Sequence, residues 1–307
     1  MTVIMEKSSP LAIAHLGPPG TYAEQAAFFY LNWLKKTQAV KATLCAYPTI
    51  AQSLQAVATQ QAQLAVVPVE NSIEGSVTMT MDTLWQLETL QIQLALVLPI
   101  SHTLISCADN LESIETVYSH PQALAQCQGW LRQFLPNVNL IPSNSTTEAL
   151  QGLKQEVKTA AIASSRAAQL YNLPILATGI NDYPDNCTRF WVISHSQGDA
   201  GDQISSRAIA FGTALRAIAP THTSIAFSLP ANVPGALAKA LQVFAHLGIN
   251  LSRIESRPTK RSLGEYLFFI DIETSATQVQ TALSELRDYT EILKFFGSYS
   301  VTLIDNS

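Results

Sequence analysis

The sequence predicts an α/β protein in two parts: a bilobed α/β region over residues 11–195, and a smaller β-α-β-β-α-β unit over residues 222–304. Three observations lead there. From Leu11 to about Ile193, brief apolar runs alternate with longer stretches of helical period, the pattern of βα units on a mainly parallel sheet. The segment 196–221 then loses that periodicity and fills with Gly, Ser and Ala, so it reads as a linker with at most a short helix near Ala208–Leu215. Beyond it, six elements follow in the ferredoxin-like order.

Taken in order, the first region offers strands at Ala12–Leu16, Thr43–Ala46, Leu64–Val67, Thr116–Ser119, Asn139–Ile141, Thr159–Ile162 and Arg189–Ile193. Between them lie helices at Tyr22–Leu34, Ile50–Thr59, Ser76–Leu87, Pro121–Phe134 and Thr147–Gln155. The apolar stretch Ile92–Ser106, broken at Pro99, suits a crossover from one lobe to the other. A cleft between two lobes is where small ligands usually bind. The C-terminal unit reads as strand Thr223–Leu229, helix Gly235–Leu247, strands Leu251–Arg257 and Gly264–Ile272, helix Thr277–Leu286 and strand Ile292–Leu303.

Composition removes several function classes. The chain has 307 residues, 47% of them hydrophobic and only 13% charged, about half the usual charged share. A sparsely charged surface favours subunit contact. A net charge of −5 without a basic stripe argues against nucleic acid. Lys7 is followed by only a brief apolar run, Leu11–Ala14, before His15. That is too little for a signal-peptide core, so a cytoplasmic protein is expected. Leu94–Ile100 is too short to span a membrane and contains Pro99. Cys45, Cys107, Cys127 and Cys187 have no paired spacing, and the six histidines no ligand spacing. Neither a disulfide frame nor a metal site is expected, and no cofactor.

Several polar clusters interrupt the apolar runs. Val66–Val77 reads VVPVENSIEGSV: an apolar strand that ends in Glu70, Asn71 and Ser72 just before a helical pattern. Asn71 and Ser72 can hold a small carboxylate beside the helix N-terminus, or simply cap that helix. Gly17-Pro18-Pro19-Gly20-Thr21-Tyr22 is a poor nucleotide loop, because its prolines remove N–H donors; Thr21 caps the next helix or touches a substrate. Asp185-Asn186-Cys187-Thr188-Arg189-Phe190 offers a hydroxyl donor and a permanent cation at a strand entrance, suited to a substrate with a carboxylate and a leaving hydroxyl. Arg189 equally suits an ion pair between lobes. Ser119-His120-Pro121-Gln122 and Ser143–Glu148 follow strands and can face the same cleft, His120 as an acid or base or as a plain loop residue. In the C-terminal unit, Gly235 opens a helix and Asn250–Pro258 forms a strand. Its N–H groups suit an α-carboxylate and Asn250 an α-amine, while the same segment suits packing between subunits.

Five motifs occur in order over nearly the whole chain: GPPGTY at 17–22, PVENSIEGSV at 68–77, NCTRF at 186–190, GAL at 235–237 and ESRP at 255–258. Together they resemble prephenate dehydratase. The resemblance implies a catalytic region with the fold of type 2 periplasmic binding proteins and a C-terminal ACT regulatory domain. The reaction it implies converts prephenate to phenylpyruvate with loss of carbon dioxide and water, for L-phenylalanine biosynthesis. It places Thr188 at the family's catalytic position, with Thr21, Asn71, Ser72, Ser119, Ser145, Thr146, Arg189 and Phe190 as candidate substrate contacts. It also implies that phenylalanine binds between ACT domains of a homodimer or homotetramer, at Gly235, Ala236, Leu237, Asn250, Leu251, Ser252, Glu255, Ser256, Arg257 and Pro258. Arogenate dehydratase is the nearest alternative, and a non-catalytic amino-acid sensor is an alternative of another class. With about ten residues before the first strand, a fused chorismate mutase is not expected.

Overall fold

A computed structural model of the chain describes residues 10–196, 220–274 and 276–304. Most of the linker reading, including its short helix, lies outside them.

The chain builds two sheets. The first lobe contributes β1 (Leu11–Leu16), β2 (Ala42–Tyr47), β3 (Leu64–Asn71), the short β4 (Gly75–Ser76), β5 (Leu90–Pro99) and, after an excursion, β11 (Cys187–His195). The second lobe holds β6 (His102–Ser106), β7 (Thr116–Ser119), β8 (Asn139–Pro142), β9 (Thr159–Ser164) and β10 (Ile175–Thr178), in the order β10-β6-β9-β7-β8. The expected crossover is two strands: β5 ends in the first lobe at Pro99 and β6 begins in the second at His102. The chain returns between Thr178 and Cys187, which sets Asn186–Thr188 at the lobe boundary.

Helices form where a cap precedes helical periodicity. Thr21 accepts the Glu24 N–H to start α1 (Tyr22–Gln38), and Thr49 accepts that of Gln52 to start α2 (Ile50–Ala58). α3 spans Thr78–Gln86. The expected helix at 121–134 is two, α4 (Pro121–Ala125) and α5 (Gln128–Phe134). They are separated by a break at Gln126–Cys127, where Asp182 accepts the Gly129 and Trp130 N–H groups and caps the second piece. At 147–155 only a 3-10 turn, Glu148–Leu150, forms. α6 (Ser165–Tyr171), capped by Ser164, has no counterpart among the sequence expectations.

The C-terminal unit follows the expected order: β12 (His222–Ser228), α7 (Ala236–His246), β13 (Asn250–Pro258), β14 (Tyr266–Glu273), α8 (Ala276–Leu286) and β15 (Ile292–Leu303). Its sheet is not separate. The far end of β15 pairs in parallel with β5, Ser300 to Leu94 through Leu303 to Val97, so one sheet runs β13-β14-β12-β15-β5-β11-β3-β1-β2. This covers what would otherwise be an open edge of β5. Gly297 sits at the junction with φ of +128°, where an added Cβ would lie 2.6 Å from the Ile92 carbonyl oxygen. The sheet is also less parallel than expected, because β11 runs antiparallel to both β3 and β5.

Three layers of core follow. On one face of the first-lobe sheet, Ile13, Val66, Leu96, Phe190 and Val192 pack under α1. On the other, Val67, Ala95, Trp191 and Ile193 join Met81 of α3 and Leu267, Phe269 and Phe296 of the C-terminal unit. The C-terminal sheet therefore lays its helix-free face on the first lobe, while α7 and α8 cover its other face. Each large side chain so buried contributes about 1.5–3 kcal/mol.

Candidate active site

The pairing of β3 with β11 puts Thr188 directly opposite Asn71, and side chains opposite one another across antiparallel strands meet on the same face. The Asn71 Oδ1 accepts the backbone N–H groups of Ile73 and Glu74, both at 3.0 Å. That fixes which way the amide points, since only its oxygen can accept two N–H donors. Its Nδ2 therefore faces the other way, donating to Thr188 Oγ1 at 2.9 Å and Asn186 Oδ1 at 2.8 Å. Thr188 Oγ1 thus serves as acceptor on its Asn71 side. No acceptor for its own proton lies within reach among the described residues, and the residue is 8% exposed.

The polarity set at Asn71 passes along a chain of buried amides. Asn186 Oδ1 accepts, so its Nδ2 donates to Gln126 Oε1 at 3.0 Å. Gln126 Nε2 then donates to Glu74 Oε1 at 3.1 Å. Ser72 supports the same corner: its hydroxyl donates to Asn186 Oδ1 and accepts the Cys187 N–H at 3.0 Å. Gln126 belongs to the second lobe and Asn71 to the first, so this chain closes across the cleft. A second set of contacts closes the cleft further along. Ser164 donates to the Gly20 carbonyl at 2.9 Å, Arg166 pairs with Glu24 at 3.0 Å, and Thr147 packs against Gly20.

The sequence candidates divide accordingly. Thr188, Asn71 and Ser72 come together. Asn71 and Ser72 do not cap α3, which starts later, at Thr78; their polar groups hold the 186–188 segment instead. Thr21 is the N-cap of α1, and its hydroxyl donates to the Leu16 carbonyl at 3.3 Å. Ser145 and Thr147 share a hydrogen bond at 3.2 Å in the loop facing Gly20, with half-buried Thr146 between them. His120 caps α4, accepting the Gln122 N–H.

Three substrate-contact expectations are corrected. Ser119 is fully buried and donates to the Ile162 carbonyl at 2.6 Å, so it braces the second-lobe sheet. Phe190 is 1% exposed and sits in the core under α1. Arg189 follows Thr188 along a strand and therefore points to the opposite face. There its Nη1 lies 3.7 Å from Glu70 on the neighbouring strand β3 and 3.6 Å from the buried Asp271 of β14, an ion pair between the first lobe and the C-terminal unit rather than an interlobe pair or a carboxylate clamp.

Of the effector candidates, Gly235 opens α7 with φ of +82° and is exposed, with Ala236 and Leu237 half-buried behind it. On β13, Asn250, Ser256 and Pro258 are exposed, Leu251 and Ser252 are half-buried, and Ser252 donates to the Asp271 carbonyl. Glu255 and Arg257 are corrected: their side chains face the catalytic region, Glu255 accepting from Ser76 at 2.9 Å and Arg257 pairing with Asp82 at 3.0 Å.

Sequence reasoning missed Gln126, and did not single out Asn186 or His102. The one local signal was a polar residue inside an apolar helical run, Ala123-Leu124-Ala125-Gln126-Cys127.

Against known proteins, residues 13–198 match the prephenate dehydratase family and residues 223–291 the ACT domain. The chain is 35% identical over 300 residues to prephenate dehydratase of Lactococcus lactis subsp. cremoris, covering 95% of this chain and 98% of that one. Among solved structures, prephenate dehydratase of Arthrobacter aurescens in complex with L-Phe superposes with a TM-score of 0.79 at 33% identity, covering 94% of this chain and 90% of that one. A protein described as a novel type of quorum quenching acylase, GqqA, superposes with a TM-score of 0.76 at 26% identity, over 95% and 98%. The chain belongs to the prephenate dehydratase family, with its catalytic region followed by an ACT domain.

Proposed function

We infer that Thr188 is the proton donor in the family reaction, the conversion of prephenate to phenylpyruvate. As the ring carboxylate leaves as carbon dioxide, its C–C bonding pair moves into the ring and the C–O bond to the ring hydroxyl breaks. The departing oxygen gathers negative charge in the transition state, and a donor aimed at it lowers the barrier. Aromatisation supplies the driving force. A threonine hydroxyl is too weak an acid to be ionised beforehand, so it hydrogen-bonds the leaving oxygen, hands over its proton as water forms, and regains one from solvent.

The observation that carries this reading is the polarity at Asn71: its amide occupies the Thr188 oxygen as acceptor, leaving the hydroxyl proton for the substrate. An acyl-transfer role would need the reverse. A base would have to take that proton, and Asn71 Nδ2 is a donor that cannot. The substrate carboxylates then fall to the cleft-lining backbone and hydroxyl groups around Ser72 and the Ser145–Thr147 loop.

Regulation follows from the second part of the chain. Phenylalanine binds the ACT domain around Gly235–Leu237 and the exposed side of Asn250–Pro258, completed by a second copy along the open edge of β13. It shifts turnover only by its differential affinity for the more and less active states.

The test is turnover of purified protein on prephenate and on arogenate, each with and without phenylalanine. Phenylpyruvate formation altered by phenylalanine supports the reading, and preference for arogenate moves the substrate but keeps the chemistry. No turnover of either by folded protein overturns it in favour of a sensor.

A further inference from the structure

The amide chain that orients Thr188 does not end at Gln126. Its Oε1 accepts from Asn186 and also lies 3.0 Å from His102 Nε2, while the other imidazole nitrogen, Nδ1, lies 2.9 Å from the Tyr22 hydroxyl. His102 is 3% exposed, on the first residue of β6 in the second lobe. Tyr22 comes from the first turn of α1 in the first lobe, and its hydroxyl also reaches the Ser101 carbonyl at 2.9 Å.

The tautomer of His102 follows from the same polarity that fixes Asn71. Two backbone N–H groups hold Asn71 Oδ1; Asn71 Nδ2 therefore donates to Asn186; Asn186 Nδ2 donates to Gln126 Oε1; and an amide oxygen facing a second ring nitrogen needs an N–H there. His102 thus carries its proton on Nε2, which leaves Nδ1 as a lone pair facing the Tyr22 hydroxyl, whose single proton lies between that lone pair and the Ser101 carbonyl. Burial lowers the His102 pKa, with the Gln126 hydrogen bond acting in the opposite direction, so the imidazole is neutral near pH 7. Burial raises the Tyr22 pKa, so the phenol keeps the proton it donates.

We propose that His102 is a positioning residue for the reaction. Its Nε2–H, together with the Glu74 carboxylate on the other end of the amide, holds Gln126 in the one orientation that lets Asn186 and Asn71 leave the Thr188 proton free. Without the Nε2–H donor, Gln126 Oε1 loses one of its two partners, and the amide is held only by Asn186 and Glu74 and turns more readily. A turned amide aims its N–H groups at Asn186 Nδ2, donor against donor, and the disorder travels to Asn71. Because the two ends come from different lobes, the chain is complete only when the cleft is closed. The effect is on the transition state, where the donor geometry matters, more than on substrate binding.

This rests on the role inferred for Thr188, and Thr188→Val compared with Thr188→Ser tests that role independently of the His102 variants. The experiment compares His102→Leu, His102→Asn and His102→Gln for kcat, KM and melting temperature. Gln places an N–H where Nε2 stands, whereas Asn reaches only the Nδ1 position. The expected result is a fall in kcat of about tenfold or more for His102→Leu and His102→Asn with KM within about twofold, and recovery of most of the rate in His102→Gln. Tyr22→Phe, which removes the hydroxyl beside Nδ1, loses about two- to threefold in kcat and serves where a His102 variant fails to fold. Wild-type kcat in His102→Leu overturns the proposal. So does an equal loss in all three His102 variants that tracks melting temperature, which is what a packing role alone would give.

Discussion

Replacing Asn71 with Asp changes one donor into an acceptor at nearly constant volume. In the native protein the Asn71 Nδ2 donates to Thr188 at 2.9 Å and to Asn186 at 2.8 Å. A carboxylate oxygen in its place accepts the Thr188 proton, the one that the proposed mechanism gives to the leaving hydroxyl, and faces Asn186 Oδ1 without a hydrogen between them. Removing a single well-placed transition-state donor costs about a hundredfold in kcat, roughly 2.7 kcal/mol, and Asn71→Asp is expected to lose at least that. Asn71→Ala leaves the Thr188 hydroxyl free but unoriented and is expected to lose less, about tenfold. The new carboxyl regains an O–H donor only when protonated, so part of the lost rate returns as pH falls through its pKa. The assay is initial-rate phenylpyruvate formation against pH for wild type and both variants, with circular dichroism to check folding. Wild-type kcat in Asn71→Asp, or an alanine variant slower than the aspartate, refutes the reasoning.

Three further outcomes follow. Gly20 has φ of +90°, and a Cβ there would meet Thr147 at 3.0 Å and Ala167 at 3.2 Å; Gly20→Ala should lower stability by about 1–3 kcal/mol and raise KM by prying the lobes apart, measured by chemical denaturation and kinetics. Asp82 is paired with Arg257 at 3.0 Å and Lys260 at 2.8 Å, and although burial raises its pKa, the hydrogen bonds from Arg257 and Lys260 bring it below the ordinary value. A depressed carboxyl pKa stabilises above the unfolded value, near 4, and that stability is lost as pH falls through the folded pKa; Asp82→Asn should therefore melt below wild type at pH 7 and converge with it below about pH 4, and should weaken the response to phenylalanine. His15 is 2% exposed and burial lowers its pKa, opposed by its backbone hydrogen bond and by Glu24; it and His102 bind protons more readily when unfolded, so melting temperature should fall as pH drops below about 6.5, less steeply in His15→Gln.

The fold was largely legible because its signals are local. Period-two and period-3.6 runs mark β1, α1, β7 and all six elements of the C-terminal unit. What was not legible depends on pairing across the chain. Nothing near residue 300 says that β15 will continue past β12 to join β5, since that contact links positions about two hundred residues apart. Gly297 alone hints at a close backbone approach. The break between α4 and α5 was hidden because its cap, Asp182, arrives from the returning segment between β10 and β11.

The site shows the same division. Asn71, Ser72 and Thr188 stood out as polar residues at the ends of apolar strands, and strand pairing brings them together. Arg189 and Phe190 share the Thr188 motif but not its direction, because neighbours on a strand face opposite ways or, as with Phe190, run on into the core. Ser119 looked like Ser72 in sequence; the difference is that the Ile162 carbonyl waits for it in the sheet interior. Gln126 and His102 were missed because a buried polar side chain within an apolar run is invisible until its partner, here on the other lobe, is known.

The most direct test of the account is the turnover of prephenate by Thr188→Val and Thr188→Ser. Valine keeps the shape and removes only the hydroxyl, whereas serine keeps the donor. The account predicts folded protein with kcat lowered at least a hundredfold in the valine variant, and a serine variant within about tenfold of wild type. A valine variant that turns over prephenate at the wild-type rate would contradict the claim that the Thr188 proton drives departure of the ring hydroxyl.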